Sequence, residues 1–458
     1  MDKKFRELRK NTLIIGIANL GSKAISFILA PLYSYWMSVE QYGQMDIITT
    51  TVLLLIPLIC LDIYDSTFRF ASDHHYAKET IISISFIFVL PGLIIAFIVA
   101  TITSFLYKNY IIAYTCVYLG LAIYENLVQQ FERGRNHLEV FAVSGVLDSV
   151  CLLIFNLCFL VSMKMQLTGW IVSVILAKVV ACLFLTIKSG IIPLVSFANY
   201  DNTIAKEMLV FCIPLLPNAI MWWIMNMSDR YMLSWLLGTA ATGLYSVANK
   251  IPNILSIFEN IFYQSWQTST ISSLSDKHKE QFFSDVLNNY LSILSIGVLM
   301  VLTVARDLTF ILFSVNYRRA WVAIAPLVLG VLVHALSTNI GAIYVAVKKT
   351  KGAFFTSLLG AMVNIILNYF LIPRFGIVAA AITTLIGYLV TLMTRWFDIR
   401  KYVVLNMNLN RLLFYSVLLL IQVYLFYHPS NTSVLARILI TTIAVVKERR
   451  LIIGLLRR

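Results

Sequence analysis

The sequence predicts an all-α, polytopic membrane protein with about fourteen transmembrane helices, and three observations predict it. Hydrophobic residues make up 59% of the 458 residues and charged residues only 13%, about half the charged share of a soluble domain. The mean hydropathy is +0.82. Apolar runs long enough to cross a hydrocarbon core of about 30 Å, which takes about 20 helical residues, recur along the whole length. No sizeable soluble domain fits between them, so the bilayer is the solvent for most of the chain.

Taken in order, the apolar runs place helices at 12–36, 45–66, 80–104, 110–130, 139–162, 167–187, 207–236, 243–270, 286–313, 321–346, 354–372, 376–397, 411–427 and 433–446. The first follows the basic segment Met1–Lys10, and its apolar run continues to about Trp36. That is too long for the core of a cleaved signal peptide, and no small-residue cleavage site follows. In the seventh, Pro214 and Pro217 break the inner half, and in the eighth Pro252 can distort the helix.

Orientation follows from where the 36 Lys and Arg fall. With the N-terminus inside, the cytoplasmic segments take most of them, from Lys3, Lys4, Arg6, Arg9 and Lys10 through Lys348, Lys349 and Lys351 to Arg457 and Arg458. Only Lys108, Lys164, Arg318, Arg319 and Arg374 lie on the opposite side. This positive-inside bias predicts a multi-pass membrane protein with both termini cytoplasmic. It also accounts for the net charge of +14 without invoking nucleic acid, which is excluded as a partner. The outer loops are short, which argues against a polysaccharide polymerase or ligase with a large extracytoplasmic loop.

Catalysis is not indicated. No Walker motif, GxSxG, HExxH or DFG-type segment occurs. The six cysteines form no CxxC pair, so neither a disulfide framework nor a metal site is expected. Of the six histidines only His334 lies within a span. The chain reads as a non-enzyme with no catalytic residue and no cofactor.

A weak internal repeat divides the chain. LAPLYSYWMSVEQYGQMD near the end of the first span matches DRYMLSWLLGTAATGLYSVA near the end of the seventh, pairing Ser34 with Ser234 and Gly43 with Gly243. YKNYIIAYTCVYLG, ending at Gly120, matches YRRAWVAIAPLVLG, ending at Gly330. An even number of helices separates each pair, so the halves share an orientation. The expected organisation is a six-helix lobe over 1–200, a second over 201–402, and two accessory helices over 403–458.

Charges inside spans single out candidate residues, because a charge at the bilayer centre costs about 2.5–3.5 kcal/mol on insertion scales. The basic ones are Lys23, Lys178, Arg230, Lys250, Arg306 and Arg437; acidic ones include Glu125, Asp148, Asp229 and Glu259. The first span carries Asn19, Lys23 and Ser26 at helical spacing, with Tyr33 two turns on. The seventh carries Asn226 and Arg230 at i, i+4, with Trp222 and Trp223 one turn away. The eighth carries Asn249, Asn253, Ser256, Asn260 and Gln264 on one face, with Lys250 beside it. Such stripes either line a polar cavity or glue helices together. Asp229 and Glu259 are candidate coupling groups or charge partners. Lys178 either pairs with Asp148 or faces a lobe core, Arg306 and Asp307 are interfacial, and Arg437 snorkels.

At this point the residues resemble a known family. IPLLPNAIMWWIMNMSDRYMLSWLLGTAATGLYSVANKIPNILS, residues Ile213–Ser256, looks like the seventh and eighth helices of bacterial polysaccharide repeat-unit flippases of the Wzx type. APLYSYWMSVEQYGQMD and the Asp62–Arg69 stretch fit as well. These flippases belong to the multidrug/oligosaccharidyl-lipid/polysaccharide exporter superfamily, with the MATE antiporters and the lipid II flippases. The resemblance implies a MATE-like core of two six-helix lobes around a V-shaped cavity, working by alternating access. Its substrate would be a polyprenyl-pyrophosphate-linked oligosaccharide for capsule, O-antigen or exopolysaccharide synthesis. Lys23, Arg230 and Lys250 suit the pyrophosphate. The Asn and Gln amides suit sugar hydroxyls, and Trp faces suit sugar rings. The implied partners are the lipid-linked oligosaccharide, membrane lipid, a polysaccharide polymerase and a chain-length regulator, with proton or sodium coupling left open. A MATE-like cation-coupled drug antiporter would want a more acidic cavity; a lipid II flippase would share the architecture.

Overall fold

A computed structural model describes residues 21–73, 75–105, 110–274, 276–347 and 349–456. Among them there is no strand; the chain is a succession of helices. It divides into two compact units between Trp223 and Ile224.

The first unit holds α1 (21–36 of the described residues), α2 (Val39–Cys60), α3 (Ile63–Ala71), α4 (Lys78–Phe105), α5 (Tyr110–Gly134), α6 (Leu138–Phe155), α7 (Gln166–Ser189), α8 (Asn202–Cys212) and the start of α9 (Leu216–Leu237). α2 begins well before residue 45, where the apolar run alone would start it. Ser38 accepts from the Gln41 N–H while the Gln41 side chain accepts from the Ser38 N–H, a reciprocal cap that captures a polar first turn. The helix expected over 45–66 is not continuous. Pro57 leaves the Leu53 carbonyl without its helical donor, and Leu61 and Asp62 both adopt left-handed backbone, with the Asp62 N–H closing onto the Pro57 carbonyl at 3.1 Å. α3 then starts in a new direction. α6 continues into a π-helical turn, Asn156–Ser162, where the buried Asn156 amide donates to the Leu152 carbonyl and to the Tyr33 hydroxyl. The core gathers Val52, Ile56, Ile81, Ile84, Ile123 and Phe131 from α2, α4 and α5.

The second unit holds the rest of α9, then α10 (Thr239–Lys250), α11 (Pro252–Ser272), α12 (Lys279–Leu312), α13 (Trp321–Ala346), α14 (Thr350–Ile399), α15 (Leu409–Tyr427), α16 (Asn431–Lys447) and α17 (Arg449–Leu456). The spans expected at 354–372 and 376–397 are the two arms of α14. They fold back on each other at Gly376, whose φ of 62° and ψ of −140° suit glycine alone. The arms touch through glycines. A Cβ at Gly360 would strike the Thr391 hydroxyl and lie 2.6 Å from the Gly387 carbonyl, and one at Gly387 would lie 3.0 Å from Asn364 Cβ.

Two expectations change here. The eighth span is not one straight helix: Pro252 has no N–H for the Ala248 carbonyl, so α10 ends at Lys250 and α11 begins at Pro252. Arg437 does not snorkel. It is 1% exposed and donates to the Leu302 and Thr303 carbonyls of α12, against which α16 packs. Arg306 lies over the Phe310 and Trp321 rings.

Ten helical stretches among the described residues are long and apolar enough to cross a membrane, and one, Lys351–Ile399, supplies both arms of α14. Together with α1, the more polar α10–α11 pair and the shorter α16, they make the multi-pass, all-α architecture of about fourteen spans.

Candidate functional site

The second unit is built around a buried acid. Asp229 and Arg230 are neighbours on α9, so their side chains leave the axis about 100° apart. Asp229 is 4% exposed, while Arg230 is only partly buried. On the Asp229 carboxylate, Oδ2 accepts from the Tyr245 hydroxyl of α10 at 2.9 Å and the Thr384 hydroxyl of α14 at 2.5 Å. Oδ1 accepts from the Asn368 amide at 2.5 Å. The Asn364 amide, turned nitrogen inward, also donates to Oδ1 at 3.2 Å and accepts from the Thr384 N–H at 3.2 Å. Thr383 donates to the Asn368 carbonyl oxygen, which sets that amide with its nitrogen toward Asp229. A buried carboxylate with several donors is satisfied without a cation beside it. The glycine contact of the α14 arms is what lets Asn364 and Asn368 on one arm meet Thr383 and Thr384 on the other. A small cleft lined by Met225, Gly360, Asn364, Thr384, Gly387 and Tyr388 adjoins the cluster.

A second buried acid lies close by. Glu259 of α11 is 6% exposed. Its Oε1 meets His334 Nδ1 of α13 at 2.7 Å and accepts from the Thr338 hydroxyl at 3.3 Å. The His334 ring lies 4.7 Å from the Tyr388 ring, and the Tyr388 hydroxyl donates to Asn226 Oδ1 at 3.4 Å. Tyr388 follows Thr384 by one turn of α14. Hydrogen-bonding and titratable side chains therefore run from Glu259 through His334 and Tyr388 toward α9.

The other candidate residues are placed as follows. Arg230 donates to the Asn226 carbonyl at 2.8 Å and sits 3.1 Å from Met227 Sδ, so it lies back along its own helix. Its carbonyl accepts from Thr242 of α10. Asn249 donates to the Tyr245 carbonyl at 2.8 Å and, like Lys250, is partly buried at the end of α10. On α11, Asn253, Asn260 and Gln264 are exposed and Ser256 is half-buried; Asn260 donates to the Ser256 carbonyl. The stripe is thus shared between two helices, with Asn249 on one and the remainder on the other.

In the first unit Lys23 and Ser26 are exposed on α1, and Ser26 donates to the Ser22 carbonyl. Asn19 lies outside the described residues. Tyr33 is buried at 7% and belongs to the packing of α1 rather than to an open polar face. The Trp223 indole N–H donates to the Thr50 carbonyl at 2.9 Å. Lys178, expected to pair with Asp148 or to face a core, pairs with both Asp148 and Glu125.

Sequence reasoning missed Tyr245, Asn364, Asn368, Thr383 and Thr384. A signal was present: Asn364 and Asn368 stand at i, i+4 in an otherwise apolar run, with a Thr pair in the next. His334 was visible as the single histidine within a span, but not its acid.

The family described as "Polysaccharide biosynthesis protein" matches residues 8–266, more than half of the chain. No curated protein sequence matches. Among solved structures, the chain is similar to "Lipid II flippase MurJ, inward closed conformation", at a TM-score of 0.68 and 16% identity over 96% of this chain and 100% of that one. It is similar to an inward-facing multidrug resistance MATE family transporter of the MOP superfamily, at 0.71 and 12% over 83% of this chain and 94% of that one. It is also similar to a MOP superfamily transporter from Pyrococcus furiosus, at 0.55 and 13% over 86% and 95%. At these identities the likeness is one of fold.

Proposed function

The chain belongs to the polysaccharide biosynthesis protein family, and from that membership we propose that it is a flippase. It would carry a polyprenyl-pyrophosphate-linked oligosaccharide repeat unit across the cytoplasmic membrane by alternating access, for capsule, O-antigen or exopolysaccharide synthesis. The observation that carries the reading is that this family member is made almost wholly of apolar helices, with no strand among its described residues. In this reading such a protein, with outer loops as short as those the sequence places at 38–44, 238–242 and 428–433, moves an intermediate rather than building it. Lys23, Arg230 and Lys250 supply positive charge for the pyrophosphate, and Asn226, Asn249, Asn253, Ser256, Asn260 and Gln264 supply hydrogen bonds for sugars. Both termini are cytoplasmic in this reading.

Coupling is assigned to the Asp229 cluster. Its donor set fits a hard monovalent cation: a carboxylate, two amides, two hydroxyls and the nearby Ala380 carbonyl, with no sulfur and no imidazole. A sodium ion or a proton would neutralise the carboxylate. Asn364 and Asn368 can turn their amide oxygens toward an ion when their nitrogens are no longer needed as donors.

Translocation of lipid II itself is a second reading. It is favoured by the match to a lipid II flippase over 96% of this chain and 100% of that one, where the multidrug transporter matches 83% of this chain. Replacing Lys23, Arg230 and Lys250 singly with Ala should reduce surface polysaccharide while the protein still inserts, and Arg230→Lys should restore part of it. Normal export from all three Ala variants refutes the anion-binding role. Unchanged polysaccharide with accumulation of lipid II favours the second reading.

A further inference from the structure

The second unit carries a concentration of positive charge that the flippase reading does not use. Arg306 stands near the end of α12, and Arg318 and Arg319 stand on the 3₁₀ turn Val315–Ala320 that leads into α13. The Arg306 guanidinium carbon lies 5.1 Å from the centre of the Phe310 ring and 5.1 Å from that of the Trp321 ring. The Arg318 guanidinium carbon lies 5.4 Å from the same Phe310 ring. Two cations therefore converge on one aromatic side chain. Arg437 of α16, already described as buried, is within electrostatic range of Arg306.

Acids do not balance this charge. Asp307 is the only Asp or Glu between Asp285 and Asp398, and none lies between Asp398 and Glu448. The turn also packs on α10, which contains no acid. Among the described residues Arg306, Arg318 and Arg319 form no ion pair. Four guanidiniums thus face one carboxylate. Contact with a ring favours a guanidinium but uses none of its five N–H donors, and Arg306 Nε is buried without an acceptor. Convergent guanidiniums with donors to spare fit a phosphate, whose oxygens accept charge-assisted and bidentate hydrogen bonds.

The surroundings select a lipid over a soluble anion. On α12, Val304 and Ile311 share one face and are exposed, Ile311 to 71%, and Val315 at the start of the turn is 68% exposed. Acyl chains lie against such residues. Trp321 and Tyr427 gather at the same level, their ring centres 5.7 Å apart, and rings of this kind mark the boundary between membrane and water. We propose that Arg306, Arg318 and Arg319 bind the phosphate of an anionic phospholipid whose acyl chains run along Val304 and Ile311. The leaflet, though not the site, rests on the orientation proposed above. In that orientation the lipid belongs to the outer leaflet, where Arg318 and Arg319 are two of the five Lys and Arg that the sequence places outside.

The test reads lipid contact and not transport, so its failure leaves the flippase reading untouched. Phosphatidylglycerol carrying a diazirine on its acyl chain, in vesicles otherwise of phosphatidylcholine, is photolysed with the full-length protein, and the labelled residues are mapped by mass spectrometry. The stretch 304–315 should be labelled about fivefold or more above the level given by the same diazirine on phosphatidylcholine, the weight of about one basic residue at a charged surface. Arg318→Gln and Arg319→Gln, at exposed positions, should each lower that excess. Arg306→Gln with Arg318→Gln should abolish it while labelling of the other spans is unchanged. Asp307→Asn, which removes the one acid, should raise it. Equal labelling by the two lipids, or an excess that survives the double substitution, overturns the site. Loss of the excess on adding inorganic phosphate, but not chloride at equal ionic strength, makes this a soluble-anion site and overturns the lipid assignment. A fall in Asp307→Asn points to an amine-bearing headgroup and overturns the anionic one.

Discussion

Asp229→Asn is the substitution that separates the fold from coupling at this site, because the surrounding donors can adapt to it. With the new amide placed so that its nitrogen takes the Oδ2 position, its oxygen still accepts from Asn368. The Thr384 hydroxyl can turn to the Ala380 carbonyl at 2.7 Å, and the Tyr245 hydroxyl can turn to Thr384 Oγ1 at 3.4 Å. Both hydroxyl oxygens are then free to accept from the new N–H groups. The loss is the surplus of charge-assisted over neutral hydrogen bonds, about 1–2 kcal/mol. In Asp229→Ala the two hydroxyls can make the same turns, but the Asn368 amide loses its acceptor at about 1–3 kcal/mol and a small cavity is left. Thermal unfolding of the detergent-purified protein should rank wild type above Asn and Asn above Ala. Wild type should also gain stability from the coupling cation, by about 2.7 kcal/mol at a hundred times its dissociation constant. Titration with sodium at fixed pH, and with acid at fixed sodium, identifies which cation it is. The Asn variant should keep its fold and lose that increment. An Asn variant stabilised by the cation as much as wild type, or one less stable than Ala, refutes the reasoning.

The α14 hairpin and the polar face of α11 give two more expectations. Gly360→Ala places a methyl against Thr391 and the Gly387 carbonyl, so it should lower stability by about 1–3 kcal/mol. It should also weaken the cation-dependent increment, since it parts Asn364 from Thr384; an unchanged melting curve contradicts the close-packed hairpin. In a cysteine-free background, single cysteines at 253, 260 and 264 should react with a membrane-impermeant thiol reagent, while one at 255 should not. Uniform protection of the three in both right-side-out and inside-out vesicles makes that face helix glue rather than cavity lining.

The membrane class and the approximate spans were legible in the sequence, because burial in lipid demands long apolar helices and leaves their composition almost no alternative. The family resemblance was legible too, from Ile213–Ser256, within the region the family match covers. Proline effects could be placed at Pro214, Pro217 and Pro252, since a missing N–H acts locally. The break at Leu61–Asp62 could not, because neither residue is a glycine and the left-handed backbone is imposed by the closing bond to Pro57. Partners of charged residues were the least legible. Asp229 could be flagged as a charge in a span, but its donors come from residues 245, 364, 368 and 384. Glu259 found its histidine 75 positions away, and Lys178 found Glu125 as well as Asp148. A helix sequence reports which face is polar; which polar groups meet depends on how the helices cross. Here that depends on glycines at 360 and 387 that let two backbones approach, a property that exists only once the arms are packed.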